Sequence, residues 1–376
     1  MRQRLLRRAH RALVRPLAEV RRRSPAGERV TGHHNVNVIA PLGQVLAFLL
    51  GMPSGATRAN FRTPLVAVEV APRIWPRESE VLRVVGEHVD DVPACLVDYG
   101  DWALHQYLPG HALSEVSPGG PVGEARIEAL AQFFVWLADI PPAALPPLPA
   151  DWPADGDTHG FLRWLARFTE ERVHQPNRPR FGTLFDAVGI PADAMARFLR
   201  TVPELSRRPF ALLHTDVHRA NVVVARTRGG ERLSVIDWEL ALYGDPLHDL
   251  ATHVVRMGYD TVERKLAVES WANAMERGGH PDMMAGLDRD LPVYLGFEYA
   301  QSVFPDIMRA AQALPAAPDG NDLSGAAGRI RGALLRAREP LRLPDVPGED
   351  AVVEALWQWH GDHRGRTEER MERHGC

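Results

Sequence analysis

The chain has 376 residues, 45% of them hydrophobic and 24% charged, with a formal net charge of −4. That composition belongs to a folded chain with room for two modest cores, and it excludes a disordered chain or a collagen-like repeat. Two cysteines, Cys95 and Cys376, exclude a disulfide framework and point to a reducing, cytoplasmic setting. The longest apolar run, Val45 to Leu50, falls far short of the roughly 20 residues needed to span a bilayer. Neither stable membrane insertion nor a signal peptide is expected.

The charge is unevenly placed. Residues 1–30 hold ten arginines against Glu19 and Glu28, a balance of +8, which leaves −12 on the other 346 residues. Such an acidic body attracts a small cation more readily than nucleic acid. Lys265 is the one lysine among 44 basic residues, so a lysine-type contact to phosphate anywhere else has to come from arginine.

In chain order, residues 1–23 repeat Leu6, Ala9, Leu13, Leu17 and Val20 at helical steps, with arginine on the polar face. An amphipathic basic helix of this kind either packs on the body or touches a membrane surface. From Val30 to Trp75 the pattern is strand-like: Val36, Val38 and Ala40 alternate with Asn35, Asn37 and Ile39, and Leu65 to Val70 reads as a second strand. A helix follows over Pro76 to Glu87. Val97 to Leu108 reads as a strand pair turning at Tyr99-Gly100-Asp101, broken by Pro109-Gly110. Beyond Gly110 helical periods dominate: Arg126 to Ile140, Gly160 to Val173, Pro191 to Val202 and several after Pro246. Short β-like runs interrupt them at Phe210–Leu213, Val222–Ala225 and Leu233–Asp237. The expected class is α+β. Residues 1–29 are a basic helical extension, 30–108 a small β-rich lobe, 109–360 a larger helical lobe and 361–376 a loose charged tail.

The informative segment is Leu212-Leu213-His214-Thr215-Asp216-Val217-His218-Arg219-Ala220-Asn221, followed by Val235-Ile236-Asp237-Trp238-Glu239. Asp216 and Asn221 are five apart on a loop, and Asp237 closes the next hairpin. Phosphoryl transfer needs this set: a carboxylate for the acceptor hydroxyl and its proton, and an amide oxygen with a second carboxylate for Mg2+. At these residues the sequence resembles the aminoglycoside phosphotransferase family of the protein-kinase-like superfamily. Its catalytic loop, His-x-Asp-x-x-x-x-Asn, is matched by His214, Asp216 and Asn221. Its metal loop is matched by Asp237, Trp238 and Glu239. Gly244-Asp245-Pro246 and Asp249-Leu250-Ala251 match a third stretch.

The resemblance implies a two-lobe kinase-like fold with Asp216 as catalytic base and Asn221 and Asp237 as Mg2+ ligands. His214 is expected to brace the loop, as are Asp245 and Asp249. His218 and Arg219 either neutralise charge on the transferred phosphate or are plain polar loop residues. In the small lobe, where kinases use lysine, Arg73 is the best-placed arginine, with Glu80 (or Glu78) on the next helix as partner. The phosphate-covering loop is sought at Thr31 to Asn37, with His34 and Asn35 near the donor's phosphates. Gln106 to Leu108 would meet the purine of ATP or GTP. Glu239, Glu298 and Asp306, with Tyr299, are assigned to the acceptor side, where carboxylates suit ammonium groups.

The implied activity is transfer of the γ-phosphoryl of ATP or GTP to a small-molecule hydroxyl. The acceptor expected is an antibiotic, cationic and aminoglycoside-like or of nucleoside type, with resistance as the outcome. A kinase for a choline-, sugar- or homoserine-like alcohol stays open, as does a non-catalytic nucleotide-binding regulator. A metal site on His214 and His218 lacks further ligands at sensible spacing. A protein kinase is disfavoured by the short stretch from Asp237 to Asp249.

Overall fold

The computed structural model describes residues 2–31, 35–52, 58–65 and 70–374. The basic N-terminal segment forms α1 (Arg2–Arg22). Its Val14 and Ala18, one turn apart, are fully buried in the small-lobe core with Ala40, Phe61, Trp102 and Leu104. Arg15 pairs with Asp101 at 2.7 Å, and Arg22 lies over the Trp102 ring and donates to Thr63 Oγ1. Of the two fates open to this amphipathic helix, packing on the body is the one observed.

Five strands form the small-lobe sheet: β1 (Glu28–Thr31), β2 (Asn35–Pro41), β3 (Arg58–Pro64), β4 (Cys95–Asp98) and β5 (Ala103–Gln106). They pair antiparallel in the order β1-β2-β3-β5-β4. Two helices interrupt them, α2 (Gln44–Leu49) and α3 (Glu78–Val85). Of the strand expected at Leu65–Val70, residues 66–69 lie outside those described; the long strand observed ahead of it, β3, ends at Pro64. β3 alternates cleanly. Ala59 and Phe61 are fully buried in the small-lobe core, while Arg58, Asn60 and Arg62 line the cleft on the opposite face.

Past β5 the chain crosses to the large lobe. There β6 (His111–Ala112) pairs with β8 (Val222–Thr227), which pairs with β9 (Gly230–Val235). Gly110 permits that crossing, because its φ is +148° and a Cβ there would lie 2.6 Å from the Val224 carbonyl oxygen. A second small ladder joins β7 (Ala211–Leu213) to β10 (Leu242–Gly244). Gly244 packs so tightly on Phe161 that a Cβ would sit 2.3 Å from its ring.

The rest is helical: α4 (Leu113–Val116), α5 (Glu124–Ala138), α6 (Thr158–Phe168), α7 (Gln175–Ala187), α8 (Ala194–Thr201), α9 (Pro246–Arg256), α10 (Thr261–Arg277), α11 (Leu287–Gln312), α12 (Gly320–Ala337) and α13 (Glu349–His374). α5 packs on α10, and α9, α11, α12 and α13 stack in turn. Their shared core includes Phe133, Trp238, Trp271, Tyr294 and Phe304. The tail expected to be loose from residue 361 instead continues α13 to His374. Its root is anchored by Trp359, which stacks on Phe181 at 5.2 Å and donates to the Arg180 carbonyl at 2.9 Å. The architecture is α+β, a β-rich small lobe beside a helical large lobe, with the cleft between them.

Candidate active site

That cleft has a volume of about 1170 Å3 and is lined by Asp216, Asn221 and Asp237 among others. The loop bearing Asp216 hangs from buried polar groups. Asp249, on α9, accepts from the backbone N–H of His214 at 2.7 Å and of Thr215 at 2.8 Å. These bonds hold Thr215 at φ +60°, a left-handed conformation unusual for a β-branched residue. The His214 ring bridges the loop to the next strand: Nε2 donates to the Ile236 carbonyl at 3.2 Å and Nδ1 accepts from the Asp216 N–H at 3.2 Å. Both ring nitrogens are thereby used in one neutral tautomer, and burial pushes the imidazole down to about 4. Asp245 caps α9 through the Leu247 N–H. It is fully buried against Arg208 at 2.6 Å and the Tyr294 hydroxyl at 2.8 Å, and Arg208 also pairs with Asp290.

Asp216 itself meets three partners. Arg256 Nη1 donates to its Oδ1 at 2.6 Å, His218 Nε2 lies 3.6 Å from the same oxygen, and Asn221 Nδ2 donates to its Oδ2 at 3.0 Å. Burial opposes ionisation, but the neighbouring His218 and the Arg256 charge outweigh it and hold the carboxyl well below its usual range. The bond from Nδ2 also fixes the orientation of the Asn221 amide.

The small-lobe wall differs from expectation in one decisive residue. Arg62, not Arg73, is the buried strand arginine. Its Nε lies 3.3 Å from Glu78 Oε2, and its Nη2 lies 2.7 Å from Asp237 Oδ1 and 3.7 Å from Glu239 Oε2. These anions raise its proton affinity against the burial that lowers it. Of the two helix glutamates expected as its partner, Glu78 is the one that pairs with Arg62, and it also accepts from the Trp238 N–H at 2.9 Å. Glu80 lines a separate surface depression behind α3. Arg73 is a second cation, 3.2 Å from Glu239 Oε1. Asn35 donates to Glu239 Oε2 at 2.7 Å, so Glu239 belongs to this wall rather than to the acceptor side. Burial and the neighbouring Asp237 push the Glu239 carboxyl up to about 7. Asp237 adopts a left-handed backbone, φ +71°, at the turn. His34 lies outside the described residues. Gln106 and Leu108 line the cleft where β5 leaves the sheet.

On the remaining wall, Arg219 turns away: its guanidinium donates to the carbonyls of Met257 at 2.8 Å and Ser117 at 2.7 Å. Glu298 is 2.8 Å from Arg256, and Asp306 is 3.4 Å from Arg336. Neither carboxylate is a free anion.

A model of the phosphotransferase enzyme family APH matches residues 57–289, more than half the chain. The chain belongs to this family. The fold of this APH-family chain is that of solved relatives at low identity. It has a TM-score of 0.52 and 16% identity to a microcompartment-associated aminopropanol kinase, covering 88% of this chain and 99% of that one. A provisionally named aminoglycoside phosphotransferase from Ralstonia eutropha gives 0.50 and 14%, covering 93% and 98%. An ethanolamine kinase from Plasmodium vivax gives 0.49 and 13%, covering 84% of each. No curated protein sequence matches.

The donor set of the APH cleft suits a hard cation. Asn221 supplies an amide oxygen and Asp237 the carboxylate oxygen not engaged by Arg62, which leaves places for water and phosphate oxygens as Mg2+ prefers. Among the described residues no three His, Cys, Asp or Glu side chains gather in metal-holding geometry. The His214–His218 alternative fails, because His214 is committed to backbone groups. Among the described residues no helix is long and apolar enough to cross a membrane.

Proposed function

We propose that this phosphotransferase moves the γ-phosphoryl group of ATP or GTP to a hydroxyl of a small molecule in the cytoplasm, with Mg2+ as cofactor. One observation carries the reading: Asp216, Asn221 and Asp237 converge on a single cleft, where Arg62 ties Asp237 to Glu78. Asp216 orients the acceptor hydroxyl and takes its proton. The acceptor oxygen bonds to the γ-phosphorus as the bond to the bridging oxygen breaks, and the nucleoside diphosphate leaves. A carboxylate held ionised by Arg256 and His218 is a weak base, which suffices where the transition state is loose and positioning dominates. Asn221 and Asp237 are the residues to hold Mg2+, which supplies charge neutralisation at the phosphate oxygens when bound. Arg62, with Arg73 behind it, stands where kinases use lysine, and its planar fork matches phosphate oxygens. His218 faces the reacting group, and Arg219 serves to brace the loop.

For the acceptor, an antibiotic whose phosphorylation confers resistance and a metabolite alcohol are both within reach of the fold. The names of the solved relatives span the two classes. The test is a screen of hydroxyl-bearing antibiotics and metabolites against labelled ATP and GTP, with and without Mg2+, read by mass. The expected result is a Mg2+-dependent gain of one phosphate that disappears in Asp216→Asn. Transfer that survives this substitution unchanged would remove Asp216 from the chemistry.

A further inference from the structure

The charges on the acceptor wall do not cancel evenly. α11 presents Glu298, Tyr299, Gln301, Ser302, Asp306 and Arg309 to the cleft. Glu298 is nearly buried, receives Arg256 and is hydrogen-bonded by Gln301. Asp306 receives Arg336 from α12. Glu115, across the cleft, lies 3.4 Å from His111. Each of these three carboxylates therefore already has a donor facing it. Arg309 does not have the converse. Its side chain is exposed to the cleft, and among the described residues its guanidinium has no hydrogen-bond or ion-pair partner. Asp306, one turn earlier on the same helix, is turned to Arg336 instead. Burial draws the proton affinity of Arg309 below the usual range, against the charge of Asp306, which acts on it from outside ion-pair distance, and that of Asp216; the Arg256 charge adds to the lowering, so Arg309 lies within electrostatic reach of the reacting centre. Arg264, on α10, also lines the cleft with an exposed side chain. A guanidinium with no carboxylate in ion-pair contact in a partly desolvated cleft is a site for one brought by the ligand.

We propose that Arg309 is the anchor of an anion-binding subsite, and that the hydroxyl compound phosphorylated here carries a carboxylate or phosphate rather than an ammonium group. The inference rests on the phosphotransfer reading for its hydroxyl, and on the pairing pattern of α11 for its anion. An ammonium ligand would find Glu298 and Asp306 occupied and Arg309 repelling it.

The experiment titrates four probes into the full chain with Mg2+ and a non-hydrolysable ATP analogue, by calorimetry: glycerate, glycerol 3-phosphate, glycerol and ethanolamine. Phosphate transfer from ATP and GTP to the same probes is followed in parallel. One or both anionic probes should bind, and Arg309→Met should weaken that binding at least tenfold while leaving the nucleotide KM unchanged. Arg309→Glu should abolish it. Glycerate against glycerol 3-phosphate separates a carboxylate from a phosphate as the recognised group. Tighter binding of ethanolamine, no binding of either anion, or anion binding indifferent to Arg309→Met each overturns the subsite. So does a change in nucleotide KM alone, which would assign Arg309 to the donor. Anion binding through Arg309 with no transfer to any hydroxyl would keep the subsite and remove the catalytic reading. Transfer to neutral or cationic alcohols unaffected by Arg309→Met would do the reverse.

Discussion

On the large-lobe wall of the cleft, the loop carrying Asp216 is suspended from neutral or fully paired buried groups. Asp249 takes two backbone N–H bonds, His214 bridges to Ile236, and Asp245 is locked to Arg208 and Tyr294. On the small-lobe wall, the charged groups are held mainly by ion pairs with one another. Arg62 meets Glu78, Asp237 and Glu239, and Arg73 meets Glu239. A nucleotide has nothing to displace on the first wall. On the second, the phosphates of the proposed nucleotide would compete for both arginines with carboxylates already there. The first wall is a scaffold, and damage to it registers in stability. The second is exchangeable, and damage to it registers in nucleotide affinity.

Substitutions that separate the two walls test this contrast. The largest effect belongs to the base: Asp216→Asn lowers kcat about a thousandfold with the dissociation constant for nucleotide unchanged, as steady-state rates and equilibrium binding will show. Next is the scaffold. Arg208→Met leaves Asp245 buried without its cation, while Asp290 keeps Arg289 at 2.8 Å, and breaking such a buried pair costs about 3–5 kcal/mol in a denaturant titration. The exchangeable wall comes third. Arg62→Lys keeps the charge but loses the two-pronged geometry, and raises the nucleotide KM about tenfold, or ~1.4 kcal/mol. Arg73→Ala raises it less, since Arg73 is the more exposed of the two. Equal effects at Arg62 and Arg73 would break the ranking of the two arginines.

The smallest effect is a slope. His248 is buried among Phe161, Tyr294 and Phe297, and burial pushes its imidazole down to about 4. Its stabilising neutral state is fully present above the ordinary value near 6.5 and is lost as pH falls through the folded value. The protein therefore loses stability on acidification across that window, by up to about 1.4 kcal/mol per pH unit from this group. His248 Nδ1 has no hydrogen-bond partner among the described residues, so His248→Leu is nearly neutral at pH 7 and flattens the slope below pH 6. Thermal melts across pH 4–8 will show both.

The large-lobe wall was legible in the sequence because its chemistry and its spacing coincide: Asp216, Asn221 and Asp237 sit on a loop and a hairpin end whose short β-like flanks were visible. The small-lobe wall was not, and the reason is register. Leu65 to Val70 drew attention because it is rich in β-branched residues, whereas the strand that forms, Arg58–Pro64, is half polar. Its polar half is its function, with Arg62 facing the cleft while Ala59 and Phe61 fill the core. The period-two alternation of Arg58, Asn60 and Arg62 was the signal that could have found it. With β3 unread, the arginine expected is Arg73, with Glu80 or Glu78 as its partner. The ion pairs of the acceptor-side residues are illegible for a different reason. Glu298 and Asp306 do reach the cleft, but their pairing with Arg256 and Arg336 joins separate helices and leaves no trace in local sequence. Arg309, one turn beyond Asp306, drew no notice.

The burial of Val14 and Ala18 beneath the small-lobe sheet sets the minimum length of a usable fragment. One trimmed to the span of the family match, 57–289, would start at the threshold of β3 and strip away α1, β1 and β2. The β3 edge would then be unzipped and Phe61 unroofed, an invitation to intermolecular strand pairing. The same cut would stop three residues into α11, discarding Tyr294, the hydroxyl that steadies Asp245. Shortened versions should therefore keep the N-terminal arginine-rich helix as an integral beam of the fold, and any affinity tag at that end needs a spacer ahead of it.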